Sequence, residues 1–250
     1  MHTHESSKQT PQVATVTGVT PTTTGAAADT GGPPADSTRD RLLVAAAELF
    51  ADRGVDAVSL REINRAAGAR NASALHYHFG DRAALVRAVL APHHRDVEAA
   101  RHVLLDAYEA DPPTEPTDAL AALAGVLVRP SAAKLADRPA GPQYLRIVAD
   151  LIERPRPAVS AAALEDPADS MYRWRALVAV HLSPAALELH RRFAAYRLTV
   201  GHLAQRARTG PHADDRLFTS DLIDMVAAVL AAPVSDATRR LHAERPRRTG

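Results

Sequence analysis

Apolar residues recur at helical spacing through most of the chain, from about residue 37 to residue 232. From Leu42 to Phe50 they return every three or four positions. This spacing places them along one face of an α-helix, which can then be buried. The segments 1–36 and 233–250 have no such period and are rich in polar residues, proline or arginine. The pattern predicts a helical protein between two disordered tails, the second of them basic.

Two capping boxes and two glycines delimit the first two predicted helices. Each box is a serine followed three residues later by a carboxylate: Ser37 with Asp40, and Ser59 with Glu62. This pair is a typical signal for a helix N-terminus. Gly54 and Gly68 follow the apolar runs, and glycine readily adopts the left-handed conformation that ends a helix. The sequence therefore predicts one helix from residue 38 to about 53 and a short one from residue 59 to 67.

A third short helix is predicted from residue 71 or 72 to Phe79, with its end at Gly80. Asp81 is the expected cap of a fourth helix that begins at Arg82. A short helix, a tight turn containing glycine and another short helix form the helix-turn-helix pattern. Its second helix would enter a DNA major groove, which is about 12 Å wide.

Prolines and glycines divide the remaining sequence into further predicted helices. Pro92 should end or kink the helix that begins after Asp81. Ser183 and Pro184 are a strong start signal, because serine caps a helix and proline suits its first position. Thr117 is the expected cap of one further helix, and Pro142 the expected first residue of another. Loops are predicted over residues 130–141 and 154–167. The predicted helices cover about residues 117–128, 142–153, 170–182, 184–208 and 219–232.

Composition supports an all-α fold. The chain has 52 Ala and 28 Arg among its 250 residues, and both are good helix formers. Its 30 basic and 29 acidic residues nearly cancel, so any nucleic-acid site must be a local patch. The absence of Cys excludes thiol catalysis, disulfides and cysteine zinc sites, and suits a cytoplasmic location. The chain contains no run of about 18 apolar residues, so no membrane span is predicted.

Residues suited to DNA contact crowd the predicted groove helix and its surroundings. Arginine and asparagine can pair with guanine and adenine edges, whereas Tyr, His and Ser more often bind phosphate oxygens. The alternative is that Tyr and His pack and the arginines are only solvated. The candidate DNA-binding residues are Ser59, Arg61, Arg70, Asn71, Ala72, Ser73, His76, Tyr77, His78 and Arg82.

Three stretches carry a family resemblance: residues 38–54, residues 58–68, and the run Leu-His-Tyr-His-Phe-Gly-Asp-Arg of residues 75–82. Together they span Thr38 to Leu90 and resemble the DNA-binding region of TetR-family transcriptional regulators. The turn before the third helix is one residue longer than the commonest family pattern, and His76 stands where the family usually has tyrosine. A phosphate contact by His76 would therefore depend on pH.

The resemblance implies a three-helix DNA-binding domain over residues 37–90 and a larger helical effector-binding and dimerisation domain over residues 91–232. His76, Tyr77, His78 and Arg82 would then contact the DNA backbone. The family's last two helices form a four-helix bundle across a dimer axis; ordinary packing within one chain is the alternative. The expected interface residues are Leu187, Tyr196, Leu203, Leu222, Val226 and Val229.

Bulky residues on the middle helices suggest an apolar effector cavity with a few polar anchors. Core filling is the equal alternative, because periodicity does not separate the two. The candidate ligand contacts are Tyr108, Tyr144, Met171, Trp174, His181 and Phe193.

The sequence thus predicts a homodimeric repressor that a small organic effector releases from a palindromic operator in double-stranded DNA. The alternatives are a helical protein-interaction domain without DNA binding and, last, an enzyme. No Gly-x-Ser-x-Gly, phosphate-binding loop or metal-ligand cluster supports an enzyme. Neither the pair His76 and His78 nor the adjacent His93 and His94 can easily share an ion, so no metal and no cofactor are expected.

Overall fold

The computed structural model describes residues 37–69, 73–154 and 166–244, which contain helices and no strand. The predicted all-α class is therefore confirmed. A 3₁₀ turn, Ala133–Leu135, follows the fifth helix. The helices are α1 (Thr38–Arg53), α2 (Leu60–Ala66), α3 (Ala74–Phe79), α4 (Arg82–Ala110), α5 (Pro116–Ala132), α6 (Ala140–Ile152), α7 (Ser170–Ala179), α8 (Pro184–Glu188), α9 (Arg191–Thr209), α10 (Arg216–Ala231) and α11 (Asp236–Ala243).

Helices α1, α2 and α4 begin where the capping signals predict, whereas α3 begins at Ala74, after its predicted start at residue 71 or 72. The Ser59 hydroxyl accepts the Glu62 N–H, and the Glu62 carboxylate accepts the Ser59 N–H, so the second box is reciprocal. Asp81 caps α4 by accepting the N–H of Ala84 at 2.7 Å. Gly54 ends α1 with φ of 83°, a backbone conformation that side-chain-bearing residues adopt only with strain. Local sequence thus determines this end of the molecule.

A small core holds α1 to α4 together. Its centre consists of side chains with no exposed surface: Leu42, Ala46, Phe50, Ile63 and Leu85. Ile147 of α6 joins this core, which ties the helix-turn-helix to the rest of the chain. Three polar contacts reinforce the connection: Arg146 to Asp52 at 2.8 Å, the Val55 N–H to Asp150 at 3.1 Å, and Arg154 to Asp56 at 3.0 Å.

A larger core lies among α4, α5, α7, α9 and α10. Trp174 is fully buried there, and its indole N–H donates to the Leu123 carbonyl at 2.8 Å. The predicted boundary between residues 90 and 91 falls inside α4, which is continuous for 29 residues. One helix therefore belongs to both cores.

The helix ends predicted in this larger region are partly wrong. Helix α4 does not end at Pro92, and α5 continues through Pro130. Packing of these helices against their neighbours outweighs the cost of an interior proline, about 3 kcal/mol. The expected cap Thr117 lies inside α5, whose N-cap is Glu115.

The predicted loop over residues 130–141 is largely helical, and α6 begins at Ala140, before Pro142. A Cβ on Gly141 would overlap the Lys134 carbonyl. Gly141 therefore permits close packing here and does not mark a loop. Part of the predicted loop over 154–167 lies outside the described residues.

Two more differences concern the C-terminal third. The predicted helix over 184–208 is broken into α8 and α9 at His190, whose φ is 55°. The break lets Arg191 donate to the carbonyls of Val229 and Ala232 at 3.0 and 3.1 Å, where α10 ends. Within the tail expected to be disordered, Asp236–Ala243 form α11, and Ser235 caps it. Ser183 caps α8 as predicted.

None of the described helices alone has the length and apolar character needed to cross a membrane. The pair α10 and α11, bent by 57° at the break between them, meets that requirement by length and composition only.

Candidate nucleic-acid interface and candidate ligand cavity

Helix α3 turns one side inward and one side outward. Ala74 and Leu75 are buried against the small core, whereas Ser73, His76 and Tyr77 are exposed. The Tyr77 side chain is 84% exposed, which is unusual for a large aromatic residue. A rigid helix that displays an exposed hydroxyl, imidazole and phenol is suited to hydrogen bonding with an external partner.

The two histidines of α3 are placed differently. His76 is exposed, and its Nδ1 donates to the Gly80 carbonyl at 2.7 Å, which leaves Nε2 as its outward atom. His78 is partly buried and packs between aromatic rings, with centroid distances of 5.1 Å to Tyr77 and 6.2 Å to Phe79. The structure thus favours the packing alternative for His78.

The two candidate DNA contacts at α2, Ser59 and Arg61, differ in their surroundings. Arg61 is exposed. The Ser59 hydroxyl is already engaged, because it donates to the Glu62 carboxylate at 2.7 Å. Hydrogen bonds from Ser59 and then from Arg53 lower the pKa of Glu62 to about 2. Ser59 therefore fixes the start of α2.

Arg82 has an unexpected position. One of its guanidinium nitrogens donates to the carbonyls of Val55 and Val58, at 2.5 and 2.6 Å. These carbonyls belong to the turn between α1 and α2, so Arg82 joins that turn to the start of α4. The structure thus gives Arg82 a structural role, and its phosphate contact stays a prediction. Arg70, Asn71 and Ala72 lie outside the described residues.

Sequence reasoning missed Arg39 on α1. Its guanidinium lies 5.3 Å from the centre of the Phe79 ring, and the residue is exposed. It adds a positive charge beside the C-terminal end of α3. The surface formed by Arg39, Arg61, Ser73, His76 and Tyr77 is called the α3 face below.

A cavity of about 1100 Å³ lies beside the small core. It is bordered by α4, α7, α8, α9, the end of α6 and the turn after α1. Its lining combines apolar and cationic side chains. The lining residues are Val55, Arg82, Ala83, Val86, Arg87, Leu90, His94, Leu151, Arg154, Asp169, Met171, Trp174, Arg175, Leu187, His190, Arg192, Phe193 and Tyr196.

Half of the predicted ligand contacts line this cavity: Met171, Trp174 and Phe193. The other three do not. The Tyr108 hydroxyl and His181 Nε2 form a hydrogen bond of 3.1 Å. Tyr144 is buried against His93, with ring centres 5.3 Å apart, and burial raises its pKa. The structure therefore favours the core-filling alternative for Tyr108, Tyr144 and His181.

The cavity's arginines were not anticipated. A signal was present on α4, where residues 82, 86, 90 and 94 follow one another at i, i+4 spacing. Arg82 and His94 there flank two apolar residues, Val86 and Leu90, on one helical face. From the sequence, only Arg82 on this face is a candidate functional residue, as a DNA contact.

The predicted dimer residues are placed mostly inside the protomer. Leu203, Leu222 and Val226 have no exposed surface, Val229 is partly buried against the larger core, and Leu187 and Tyr196 line the cavity. The apolar stripes of α9 and α10 therefore serve the core of one chain. An interface on these helices would have to use their other faces.

Among the residues that the structure describes, His93, Asp96 and Asp137 form a group of potential metal ligands. The Lys134 ammonium lies 2.7 Å from the Asp96 carboxylate and 3.1 Å from that of Asp137. The chain's own cation thus already compensates both acids. Burial, followed by the Lys134 charge, lowers the pKa of His93.

Capped helices packed around a small core, with one short helix displayed outward, define the protein as a helix-turn-helix protein of the all-α class. Residues 42–89 match the family model described as "Bacterial regulatory proteins, tetR family". This match confirms, for the N-terminal region, the resemblance seen in the sequence: residues 42–89 are similar to the DNA-binding domain of that family.

Solved structures that match the chain include the following three, each at below 20% sequence identity. AmtR from Mycobacterium smegmatis is 19% identical, with a TM-score of 0.47 over 85% of this chain and 98% of that one. The probable transcriptional regulatory protein RHA5900 is 18% identical, with a TM-score of 0.34 over 82% and 94%. RolR in complex with resorcinol is 19% identical, with a TM-score of 0.30 over 80% and 95%. No curated protein sequence matches the chain.

Proposed function

We propose that this chain is a homodimeric repressor that binds a palindromic operator through its α3 face and leaves it when a small organic effector fills the cavity. The observation that carries the proposal is the exposure of the α3 face on a helix that packs against the small core. Tyr77 is the clearest example, since its aromatic side chain is 84% exposed and its ring makes an edge-on contact with that of the neighbouring His78.

The α3 face has the chemistry that a DNA backbone requires. Arg39 and Arg61 supply positive charge, and the Ser73 and Tyr77 hydroxyls supply hydrogen-bond donors for phosphate oxygens. The outward Nε2 of His76 can donate only in the imidazolium form. Arg70 and Asn71, at the entry to α3, remain the predicted base-reading residues, because their side chains can pair with guanine and adenine.

Exposed residues on α9 and α10 support a homodimer. Their outward sides carry opposite charges: Arg197 and Arg208 on α9, and Asp221 and Asp224 on α10. Leu217 is 83% exposed, and the small exposed residue Ala228 would let a second helix approach closely. A two-fold axis brings the same surface of two chains together, so this surface can pair with its own copy.

A single substitution tests that interface. Ala228→Glu places a bulky charge on the outward side of α10, and we expect it to convert the dimer to a monomer. Sedimentation should give about twice the 26.7 kDa chain mass for the unchanged chain. Val180→Glu alters another exposed apolar residue, 80% exposed, and should stay dimeric. A dimer with Ala228→Glu would contradict this interface.

The position of the cavity supports control by a ligand. Val55 and Arg82 line it, and both take part in the hydrogen bonds that join α4 to the turn before α2. This connection, made by Arg82 between α4 and the turn before α2, is called the Arg82 joint. A ligand that binds one arrangement of the joint better than another increases the population of the arrangement that it prefers. The two α3 helices of a dimer would then no longer match successive major grooves.

Titration of a labelled duplex taken from upstream of the protein's own coding region, with a scrambled duplex beside it, tests DNA binding. We expect tighter binding to the natural duplex and weaker binding as salt rises. Tyr77→Ala should weaken both complexes, whereas Tyr172→Ala, which removes a 38% exposed tyrosine from α7, should leave them unchanged. Equal affinity of the unchanged chain for both duplexes would contradict a specific operator.

A further inference from the structure

The cavity between α4, α7, α8 and α9 combines an apolar surface with an excess of positive charge. Its apolar part includes Val86, Leu90, Trp174, Leu187 and Phe193. Five arginines and two histidines also line it, against a single carboxylate, Asp169. An apolar interior alone would fit many neutral molecules, so the charge is the informative feature.

Three acidic groups near the arginines already form contacts within the fold. The Asp169 carboxylate caps α7 by accepting the Met171 N–H at 2.7 Å. Asp150 accepts the Val55 N–H and, with Asp56, forms ion pairs with Arg154. Among the cavity arginines, Arg154 is therefore largely compensated from within the chain.

Three other arginines, Arg82, Arg87 and Arg192, form no ion pair with a carboxylate among the described residues. Arg82 donates to two carbonyls, and Arg192 donates to the Arg175 carbonyl at 2.8 Å. A carbonyl satisfies a donor but does not neutralise its charge. Burial, followed by the charge of Arg175, lowers the pKa of Arg192, as expected of a cation close to another cation.

We propose that this cavity binds an amphipathic organic anion, with an aliphatic or aromatic body against its apolar wall and a carboxylate, sulfonate or phosphate group held by Arg87 and Arg192. Hydrogen bonds between ions are about twice as strong as neutral ones, and an anion relieves the repulsion among these arginines. A neutral molecule would leave the charges uncompensated, and an organic cation would add to them. The inference rests on the proposed function for its regulatory meaning, because the same cavity would hold the effector.

Three probes with the same ten-carbon chain test the charge preference: decanoate, decanol and decyltrimethylammonium. Calorimetric titration of the full chain at submicellar concentrations measures the affinity for each. We expect decanoate to bind roughly tenfold or more tightly than decanol, the factor that one charge-assisted hydrogen bond contributes. The cation should bind most weakly. Equal affinities, tighter binding of decanol or the cation, or no binding of any probe would overturn the proposal.

Substitutions locate the acidic group. The double variant Arg87→Met and Arg192→Met keeps a flexible, unbranched side chain at both positions but removes the charge, and should lower the affinity for decanoate to that for decanol. Arg95→Met is the matched control, because Arg95 is exposed on α4 and does not line the cavity. Retained decanoate preference in the double variant would contradict the assignment of these arginines. If that variant fails to fold, the probe series on the unchanged chain still decides the anion preference.

DNA titrations without a probe separate this proposal from the proposed function. Failure to bind any upstream duplex, with a normal decanoate preference, would count against the DNA-binding function and leave the cavity assignment intact. Specific DNA binding without a preference for decanoate would support the DNA-binding function and count against the cavity assignment. If both hold, decanoate should release the DNA and decanol should not.

Discussion

The helix-turn-helix end and the helical body of this protein achieve order in different ways. At the first end, short helices depend on side-chain caps and on a small core around Phe50. In the body, long helices pass through their prolines, and a larger core around Trp174 holds them. Side-chain caps contribute to both regions, but only the helices of the body continue through prolines and depend on packing to do so. This contrast agrees with the proposed function, in which the α3 face contacts DNA and the cavity of the body binds an effector.

The largest expected effect comes from the body. Trp174→Ala removes a fully buried side chain and leaves the Leu123 carbonyl without its donor. Such truncations cost about 3–5 kcal/mol. Urea unfolding followed by circular dichroism measures the loss, with Tyr172→Ala on the same helix as a control that should cost far less. A loss below about 1 kcal/mol would mean that packing of the body does not depend on this residue.

The joint between the two regions comes next. Arg82→Met should lower the free energy of unfolding by about 1–3 kcal/mol, because the Val55 and Val58 carbonyls lose a partly buried donor. If Arg82 acts only through this joint, the salt dependence of DNA binding should keep its slope. A phosphate contact by Arg82 would instead reduce that slope by about one. The same titrations with Arg95→Met supply the reference.

Glycines should respond with opposite signs in the two regions. Gly54→Ala should destabilise the chain by about 1–3 kcal/mol, because φ is 83° and the new Cβ would lie 2.8 Å from an Asp150 oxygen. Gly125→Ala, inside α5, would meet only the flexible end of Arg129. It should stabilise the helix by up to about 1 kcal/mol. Thermal unfolding measures the change in stability of both variants. A change of the same sign in both would contradict the distinction between the two regions.

The smallest effect concerns acid stability of the capping box. The pKa of Glu62 falls from 4.5 to about 2 in the folded chain, through hydrogen bonds from Ser59 and then Arg53. A lowered pKa stabilises the fold above the unfolded value, and this stabilisation disappears as pH falls from about 4.5 to about 2. Glu62→Gln should remove that part of the pH dependence of unfolding. An unchanged profile between pH 5 and pH 2 would contradict a role for the carboxylate.

The two regions also differ in how far sequence alone predicts them. Ser59, Glu62, Gly54 and Asp81 act on neighbours within four residues, so their roles follow directly from their spacing. Pro92 and Gly141 were interpreted by the same rules and gave wrong boundaries. Their surroundings come from residues distant in the chain, and packing there outweighs local preference.

The candidate sites show the same limit. Exposure of His76 and Tyr77 agrees with the motif, because the motif fixes which side of α3 is buried. The joint made by Arg82 joins residues 24 and 27 positions apart, and no local pattern predicts it. Leu222 and Val226 have the spacing expected of either a core or an interface, and burial within one protomer decides for the core.

Hydroxyl-radical footprinting on the upstream duplex tests the central claim most directly, that two copies of the α3 face bind DNA together. We expect two protected regions on one side of the duplex, with centres about 10–10.5 base pairs apart or a multiple of that distance. Tyr77→Ala should weaken both regions equally. A single protected region, or uniform protection along the duplex, would contradict a dimer that reads a palindrome through this surface.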